Sequence, residues 1–169
     1  MNSEKLRELQ APLKNSYKEN PDSAVITLKA TGTIGENLSC KVDTGKAMVE
    51  AGLHPVTGGS GLQACSGDML LEALVACAGV TLNTVATAIE VNLADATLTA
   101  EGILDFKGTL GVSKEVPVGF TKITLHYDLK TDADDEAITA LLKLTERYCV
   151  VYQTLKGGVD ISVTHTVSK

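Results

Sequence analysis

Hydrophobic and polar positions alternate along several short stretches of the chain, as they do in β-strands that cover a core with one face. The clearest stretch is FTKITLHYDL (120–129), whose two faces carry Ile123, Leu125, Tyr127 and Leu129 against Thr124, His126 and Asp128. Weaker alternation predicts four more strands, at 24–30, 38–43, 96–112 and 159–167. The turn residues TIGEN join the first two of these into a hairpin.

Two longer stretches follow a helical pattern instead. Residues 68–91, DMLLEALVACAGVTLNTVATAIEV, contain no proline and are apolar on nearly every side, whereas a surface helix shows a polar face. We therefore expect a central helix, enclosed by a sheet or a partner subunit, with Ser66 or Asp68 capping its start. The second helix opens at TDADDE (131–136). Its predicted buried face consists of Ile138, Leu141, Leu142, Thr145, Tyr148 and Cys149.

The remaining segments read as a short helix and a loop. Residues 1–22 predict a short N-terminal helix carrying Leu6 and Leu9, ended by proline and followed by a connector. Residues 52–67 hold five glycines and no Lys-Ser/Thr ending, so they predict a loop that is not a phosphate loop. The resulting order of strands, long helix, strands, helix and strand predicts one α+β domain over residues 23–169.

Composition and charge narrow the class of protein. The 169 residues suit one domain, and 44% hydrophobic with 21% charged residues is typical of a globular protein. A net charge of −6 without a basic run argues against a nucleic-acid partner. The start, MNSEKLRELQ, lacks the apolar core of a signal peptide, and no uninterrupted apolar run is long enough to predict a membrane span. We expect a cytoplasmic protein.

Four cysteines, Cys40, Cys65, Cys77 and Cys149, carry the candidate chemistry. Cytosolic thiols are kept reduced, so a permanent disulfide framework is not expected. There is no CxxC motif and the three histidines are distant in sequence, which predicts neither a metal site nor a bound cofactor. Redox chemistry at a pair of thiols remains open.

Cys77 and Cys149 are the two cysteines on the predicted helices, where both can face inward. A thiol peroxidase needs a nucleophilic cysteine, a resolving cysteine within reach, and a cation or hydrogen-bond donor that keeps the first one ionised. Small neighbours in LVACAGV leave Cys77 open to close approach by substrate. The alternative for each cysteine is plain packing, since buried free cysteine is common.

Together, the GDMLLEALVACAGV and ERYCVVYQTL segments resemble the OsmC/Ohr family, which includes the organic hydroperoxide resistance proteins. The resemblance covers roughly residues 24–167. It implies antiparallel sheets around a long central helix, an intertwined homodimer, and a cysteine-based hydroperoxide reductase. It also implies that Cys77 is the peroxidatic cysteine and Cys149 the resolving one. In the same way, it implies that Asp68 is the acidic residue at the start of the helix and that an external, dihydrolipoyl-type thiol is the reductant.

The chain differs from that family pattern in two places. Val150 follows the second cysteine where many relatives have proline, and the arginines are limited to Arg7 and Arg147. Lys14 or Lys18 can replace the arginine that supports the thiolate in the peroxidases, although a lysine lacks its bidentate geometry.

The other candidate residues are given structural roles. We expect Cys40 to be a packing residue, Cys65 to be an exposed loop thiol, and Glu72 to lie on a solvated helix edge. A hydrogen-bonded structural role is expected for His165, and a solvated position for His126.

These observations predict a thiol-dependent peroxidase for organic hydroperoxides that forms a Cys77–Cys149 disulfide at each turnover. Two alternatives stay open. One is a non-catalytic protein of the same fold that binds an apolar small molecule or senses redox state, and the other is a stress regulator that acts through a protein partner.

Overall fold

The computed structural model describes residues 2–25, 27, 31–34, 39–43 and 48–167. Five helices lie in these residues, at Ser3–Glu19 (α1), Ser66–Ala88 (α2), Phe106–Thr109 (α3), Asp135–Tyr148 (α4) and Val150–Gly157 (α5). Six strands lie there too, at Thr31–Ile34 (β1), Ser39–Asp43 (β2), Met48–Gly52 (β3), Ala64–Cys65 (β4), Leu93–Leu104 (β5) and Phe120–Thr131 (β6). Short 3₁₀ turns occur at Pro21–Ala24 and Pro55–Thr57. The α+β class is confirmed.

The strands form two sheets. A four-stranded sheet has the order β1-β2-β3-β4, in which the last pair is parallel and the others antiparallel. The second strand of the predicted hairpin is confirmed as β2, but its antiparallel partner β1 lies at 31–34, after the predicted strand at 24–30. Of that predicted strand, Ala24 ends a 3₁₀ turn, and residues 26 and 28–30 lie outside the described residues. The structure adds β3 and β4, which the alternation did not reveal because both are short.

A long two-stranded ribbon, β5 and β6, forms the second sheet. The alternation predicted for 120–129 is confirmed, with the apolar positions of β6 partly covered and the polar positions exposed. The predicted strand at 96–112 is wrong beyond Leu104. There Asp105 caps α3 by accepting a hydrogen bond from the N–H of Lys107 at 3.0 Å, which turns the chain into a helix.

Helix α2 packs against β5, α4 and α5 and carries most of the core. Five of its 23 residues are buried, namely Leu74, Ala78, Leu82, Val85 and Ala86. Its other faces are open, and Val80 is 70% exposed. The helix is long and apolar enough to cross a membrane, but the core helix of a soluble protein can have the same length and composition. Within this chain α2 is therefore covered on one side only.

The ends of α2 differ from those predicted. Cys65 is the N-cap and no side chain caps the helix, so the predicted capping by Ser66 or Asp68 is wrong, because both lie inside the first turn. Asp68 still offsets the helix dipole there. The helix ends at Ala88 rather than Val91, because Glu90 takes a left-handed conformation (φ 61°) and the N–H of Val91 bonds to the carbonyl of Ala86 at 2.9 Å.

The N-terminal helix is longer than predicted. It continues through Pro12 to Glu19, because a proline removes a single backbone donor and the surrounding residues are good helix formers. Arg7 binds Glu90 across a 3.6 Å ion pair, and the Ser3 hydroxyl donates to the same carboxylate at 2.6 Å. These contacts tie α1 to the end of α2.

The predicted strand at 159–167 is wrong for this chain. These residues form no regular secondary structure and pair with no described strand, and Val163 is 90% exposed. A strand needs a neighbour for its backbone groups, and no described strand of the same chain offers one. His165 is exposed here as well, so its predicted structural role is also wrong, whereas His126 on β6 is exposed as expected.

Candidate active site

Cys149 occupies the junction between two helices. It is the C-cap of α4 and the N-cap of α5, and its side chain is 1% exposed. Its sulfur accepts a hydrogen bond from the N–H of Tyr152 at 3.5 Å, as a serine oxygen does at an N-cap. The predicted inward position of Cys149 is confirmed, whereas Tyr148, predicted for the same face, is 59% exposed.

The start of α5 faces Cys77. The backbone N–H groups of Val150 and Val151 and the thiol of Cys149 lie near the Cys77 sulfur and favour its ionised form. The first N–H groups of a helix have no partner inside the helix and carry its positive dipole end. The structure therefore brings the two predicted cysteines together and supplies the earlier one with three donors from the α4–α5 junction.

These contacts shift the pKa values of the two thiols in opposite directions. Burial raises the pKa of Cys77, but the hydrogen bonds from Val151, Cys149, Val150 and Thr81 outweigh it, so the pKa falls below its ordinary value of 9.0. The Thr81 hydroxyl lies 2.7 Å from the Cys77 carbonyl, and its one hydrogen can rotate between carbonyl and thiolate.

Cys149 shifts in the opposite direction. Burial raises the pKa of the Cys149 thiol, and the hydrogen bond it donates to Cys77 raises it further, against the lowering effect of the Tyr152 N–H. Cys77 is thus the thiol of the pair that ionises first, and Cys149 the one that keeps its proton longer.

The predicted cations and carboxylates lie away from this pair. Asp68 is exposed and nine residues before Cys77, which is about 13 Å along a helix axis. Glu72 is exposed, as expected for a helix edge. Arg7 is held at the far end of α2 by Glu90, and Arg147 stacks over Tyr148 at 5.6 Å. Among the residues that the structure describes, no cation is one of the groups that lower the pKa of Cys77. The predicted helpers Lys14 and Lys18 are exposed on α1.

A cavity of about 680 Å³ is lined by neighbours of the two cysteines in sequence, although neither Cys77 nor Cys149 lines it. Leu74, one turn before Cys77 on α2, lines it, and so does Tyr152, whose N–H binds Cys149. The apolar lining comes from Leu74, Phe120, Ile123, Leu125 and Leu155, and the polar lining from Thr121, Lys122, Thr124, Tyr127, Glu146, Tyr152 and Lys156. The Tyr152 hydroxyl donates to Glu146 at 2.9 Å. The cavity can take an apolar group of moderate size.

The other cysteines are separate from this site. Cys65 is half-buried on β4, rather than exposed in a loop, and lines a second cavity of about 560 Å³ with His54 and Phe106. Cys40 lies in β2, and its predicted packing falls outside the described side chains. Within the described residues, no three His, Cys, Asp or Glu side chains gather as a set of metal ligands.

Two features of the site were missed in the sequence. The sequence places Cys149 at the end of the second helix, but the further helix that starts at Val150 was not predicted, and its first N–H groups are the ones that lie near Cys77. A cysteine that could act as an N-cap was the available signal. Tyr127 was placed correctly on the inward face of β6, but its relation to the cavity was missed. The available signal was that a buried tyrosine usually needs a hydrogen-bond partner for its hydroxyl.

The sequence model of the OsmC-like protein family matches residues 59–164, well over half of the chain. No curated protein sequence gives a significant match. Among solved structures, an OsmC-like protein from Mycoplasma pneumoniae superimposes with a TM-score of 0.67 at 19% identity, covering 79% of this chain and 89% of that one.

Two further structures carry functional names. An organic hydroperoxide resistance protein OsmC from Legionella pneumophila superimposes with a TM-score of 0.62 at 21% identity, covering 80% of this chain and 93% of that one. The organic hydroperoxide resistance protein OhrB of Bacillus subtilis gives a TM-score of 0.53 at 22% identity, covering 80% and 94%. The match to the family model, on a fold shared with these structures, shows that this chain belongs to the OsmC-like protein family.

Proposed function

We propose that the protein is a thiol-dependent peroxidase that reduces organic hydroperoxides, with Cys77 as the nucleophile and Cys149 as the resolving cysteine. The observation that carries this proposal is the convergence on the Cys77 sulfur of the Cys149 thiol and two helix N–H groups. A thiolate is the reactive form of cysteine, and helix N-termini are one of the environments that stabilise it. Related proteins named as organic hydroperoxide resistance proteins support the choice of substrate.

The reaction follows from the different ionisation of the two thiols. The Cys77 thiolate attacks one oxygen of the hydroperoxide, the O–O bond breaks, and Cys77 becomes a sulfenic acid while an alcohol leaves. Cys149 then attacks the sulfenic sulfur and releases water with formation of a disulfide. An external dithiol, such as a dihydrolipoyl group, returns both cysteines to thiols by exchange. The apolar side chains of the 680 Å³ cavity would hold the organic group of the substrate.

In this proposal the N-terminus of α5 takes the place of an arginine. Many relatives have proline after the second cysteine, and proline has no N–H to donate. Here Val150 keeps that N–H group, which contributes to the lowered pKa of Cys77. Compared with those relatives, Cys77 would therefore lack a supporting arginine and have an additional backbone N–H donor.

Replacing Val150 tests this arrangement. Proline is tolerated in the first turn of a helix, so Val150→Pro should keep α5 but remove one donor to Cys77. We expect the reaction of Cys77 with cumene hydroperoxide at neutral pH to slow by roughly 10- to 20-fold, since one hydrogen bond to a charged group is worth about 1.5 kcal/mol or somewhat more. The pH midpoint for alkylation of Cys77 by iodoacetamide should lie below 9.0 in the wild type and move upward in the variant.

Val150→Ala is the matched control, because it shortens the same exposed side chain and keeps the N–H. It should react like the wild type. A wild-type rate no faster than that of free cysteine would refute the peroxidase proposal itself. Equal rates in the proline and alanine variants would instead refute the role of the backbone donor.

We also propose that the protein is a homodimer. The open faces of α2, with Val80 70% exposed, and the C-terminal residues leave much apolar surface uncovered. The exposed side chains of that segment include Val159, Ile161, Val163 and Val167. Surfaces of this kind mark protein interfaces. Sedimentation equilibrium should give twice the chain mass of 17.7 kDa, whereas a single chain mass at micromolar concentration would contradict the proposal.

A further inference from the structure

Tyr127 has a hydroxyl without a partner. Its oxygen is buried, and among the described residues it is the one buried side-chain nitrogen or oxygen that makes no hydrogen bond. Leaving such a group unpaired costs free energy, so native proteins rarely do so unless water or a ligand completes the bond. Tyr127 also lines the 680 Å³ cavity. Tyr127 is therefore a residue of the cavity wall whose hydroxyl has a hydrogen bond left to make.

The surroundings of this hydroxyl connect it to the resolving cysteine. Burial raises the pKa of Tyr127 to about 12, with further contributions from the charges that Cys149, Glu146 and Tyr152 carry when ionised. Glu146 and Tyr152 already bind each other at 2.9 Å. The Tyr127 phenol is thus protonated at physiological pH and close to Cys149, and its hydrogen is free for another acceptor.

We propose that Tyr127 is the general acid of the peroxide-cleaving step, an inference that rests on the peroxidase activity proposed above. The Cys77 thiolate bonds to the terminal oxygen of ROOH and the O–O bond breaks, so sulfur is oxidised to Cys77–SOH and the peroxide is reduced to RO⁻. Tyr127 gives its proton to RO⁻, and the alcohol ROH leaves. An alkoxide is a far stronger base than a phenolate, so this transfer is downhill.

The same residue then prepares the second step. The Tyr127 phenolate takes the proton of the Cys149 thiol, and the resulting thiolate attacks Cys77–SOH, forms the S–S bond and expels hydroxide. In sum, one thiolate, one thiol and ROOH give a disulfide, ROH and hydroxide. The proximity of Tyr127 to Cys149, and the high pKa that keeps Cys149 protonated until that moment, both fit this sequence.

The proposal is tested by comparing how Tyr127→Phe reacts with two peroxides whose leaving groups differ in basicity. Oxidation of Cys77 is followed in a single turnover without reductant, once with cumene hydroperoxide and once with peracetic acid. Cumene hydroperoxide must release an alkoxide, so we expect the variant to lose about 100-fold in rate, within the usual range for a general acid. Peracetic acid releases acetate, which needs no proton, so its rate should fall by less than about threefold. Dimedone should also trap more sulfenic acid in the variant, because Cys149 ionises more slowly.

Two controls separate this role from a structural one. Tyr148→Phe removes a hydroxyl from a 59% exposed side chain and should react with both peroxides like the wild type. The melting temperature of Tyr127→Phe should be unchanged or higher, because the hydroxyl removed has no partner. Equal slowing with both peroxides, or slowing with neither, would overturn the general-acid role. A wild type that reacts with neither faster than free cysteine would overturn the proposed function, and this inference with it.

Discussion

Cys77→Ser is expected to abolish peroxide reduction. Serine has nearly the same size as cysteine, but its hydroxyl does not ionise at neutral pH, so the donors from Val150 and Val151 have no thiolate to stabilise. We expect the rate of cumene hydroperoxide consumption, with a dithiol as reductant, to fall by at least about a thousandfold. The fold should survive, because Cys77 is only half-buried and makes its contacts through the sulfur.

Cys65→Ser is the control for this substitution. Cys65 is also half-buried, but it lies on β4 beside the second cavity and has no contact with the thiol pair. Its loss should leave the rate within about twofold of the wild type, as expected of a distant site. Should Cys65→Ser reduce the rate as much as Cys77→Ser, the nucleophile has been assigned to the wrong thiol.

Cys149→Ser is expected to stop turnover after one reaction. Serine is a good N-cap, so its oxygen can accept the Tyr152 N–H in place of sulfur and α5 stays in position. Cys77 should still react with one equivalent of peroxide, but its sulfenic acid has no partner and accumulates. We expect steady-state consumption to drop by roughly 100-fold or more, since recycling then depends on direct attack by the external thiol.

Cys149→Ala distinguishes the chemical role of this residue from its capping role. Alanine removes both the thiol and the cap, so the first reaction of Cys77 should slow as well, because the α5 donors are no longer held in place. Mass spectrometry of the serine variant should find one added oxygen on Cys77 after treatment with peroxide. Continued turnover in the serine variant at the wild-type rate would exclude Cys149 as the resolving cysteine.

The main elements of the fold could be predicted because their patterns are local. The alternation in β6 identifies its covered face, and the long apolar stretch of α2 identifies a core helix. Neither prediction needs information from another segment. The stretch at 159–167 has the same alternation and yet forms no strand in this chain. Alternation specifies a face, whereas a strand also requires a neighbour, and the sequence does not show which chain provides it.

The site was predictable in part for a similar reason. Cys77 and Cys149 could be paired because each lies on the inward side of a helix. The groups that tune Cys77 are backbone N–H groups, which every residue except proline carries, so no residue type marks them. They are available only because a new helix begins after Cys149, where the cysteine is the C-cap of α4 and the N-cap of α5. Within the described part of the chain, no lysine or arginine contributes to the lowered pKa of Cys77, contrary to the prediction.

The most direct test of the thiol pair is to count and map thiols after treatment with peroxide. Reduced protein receives one equivalent of cumene hydroperoxide, free thiols are counted, and the disulfide is located by mass spectrometry of peptides. A Cys77–Cys149 bond and rapid loss of two thiols per chain are the expected result. Loss of thiols at the slow rate of free cysteine, or a bond that leaves out either of these two residues, would contradict the proposed chemistry.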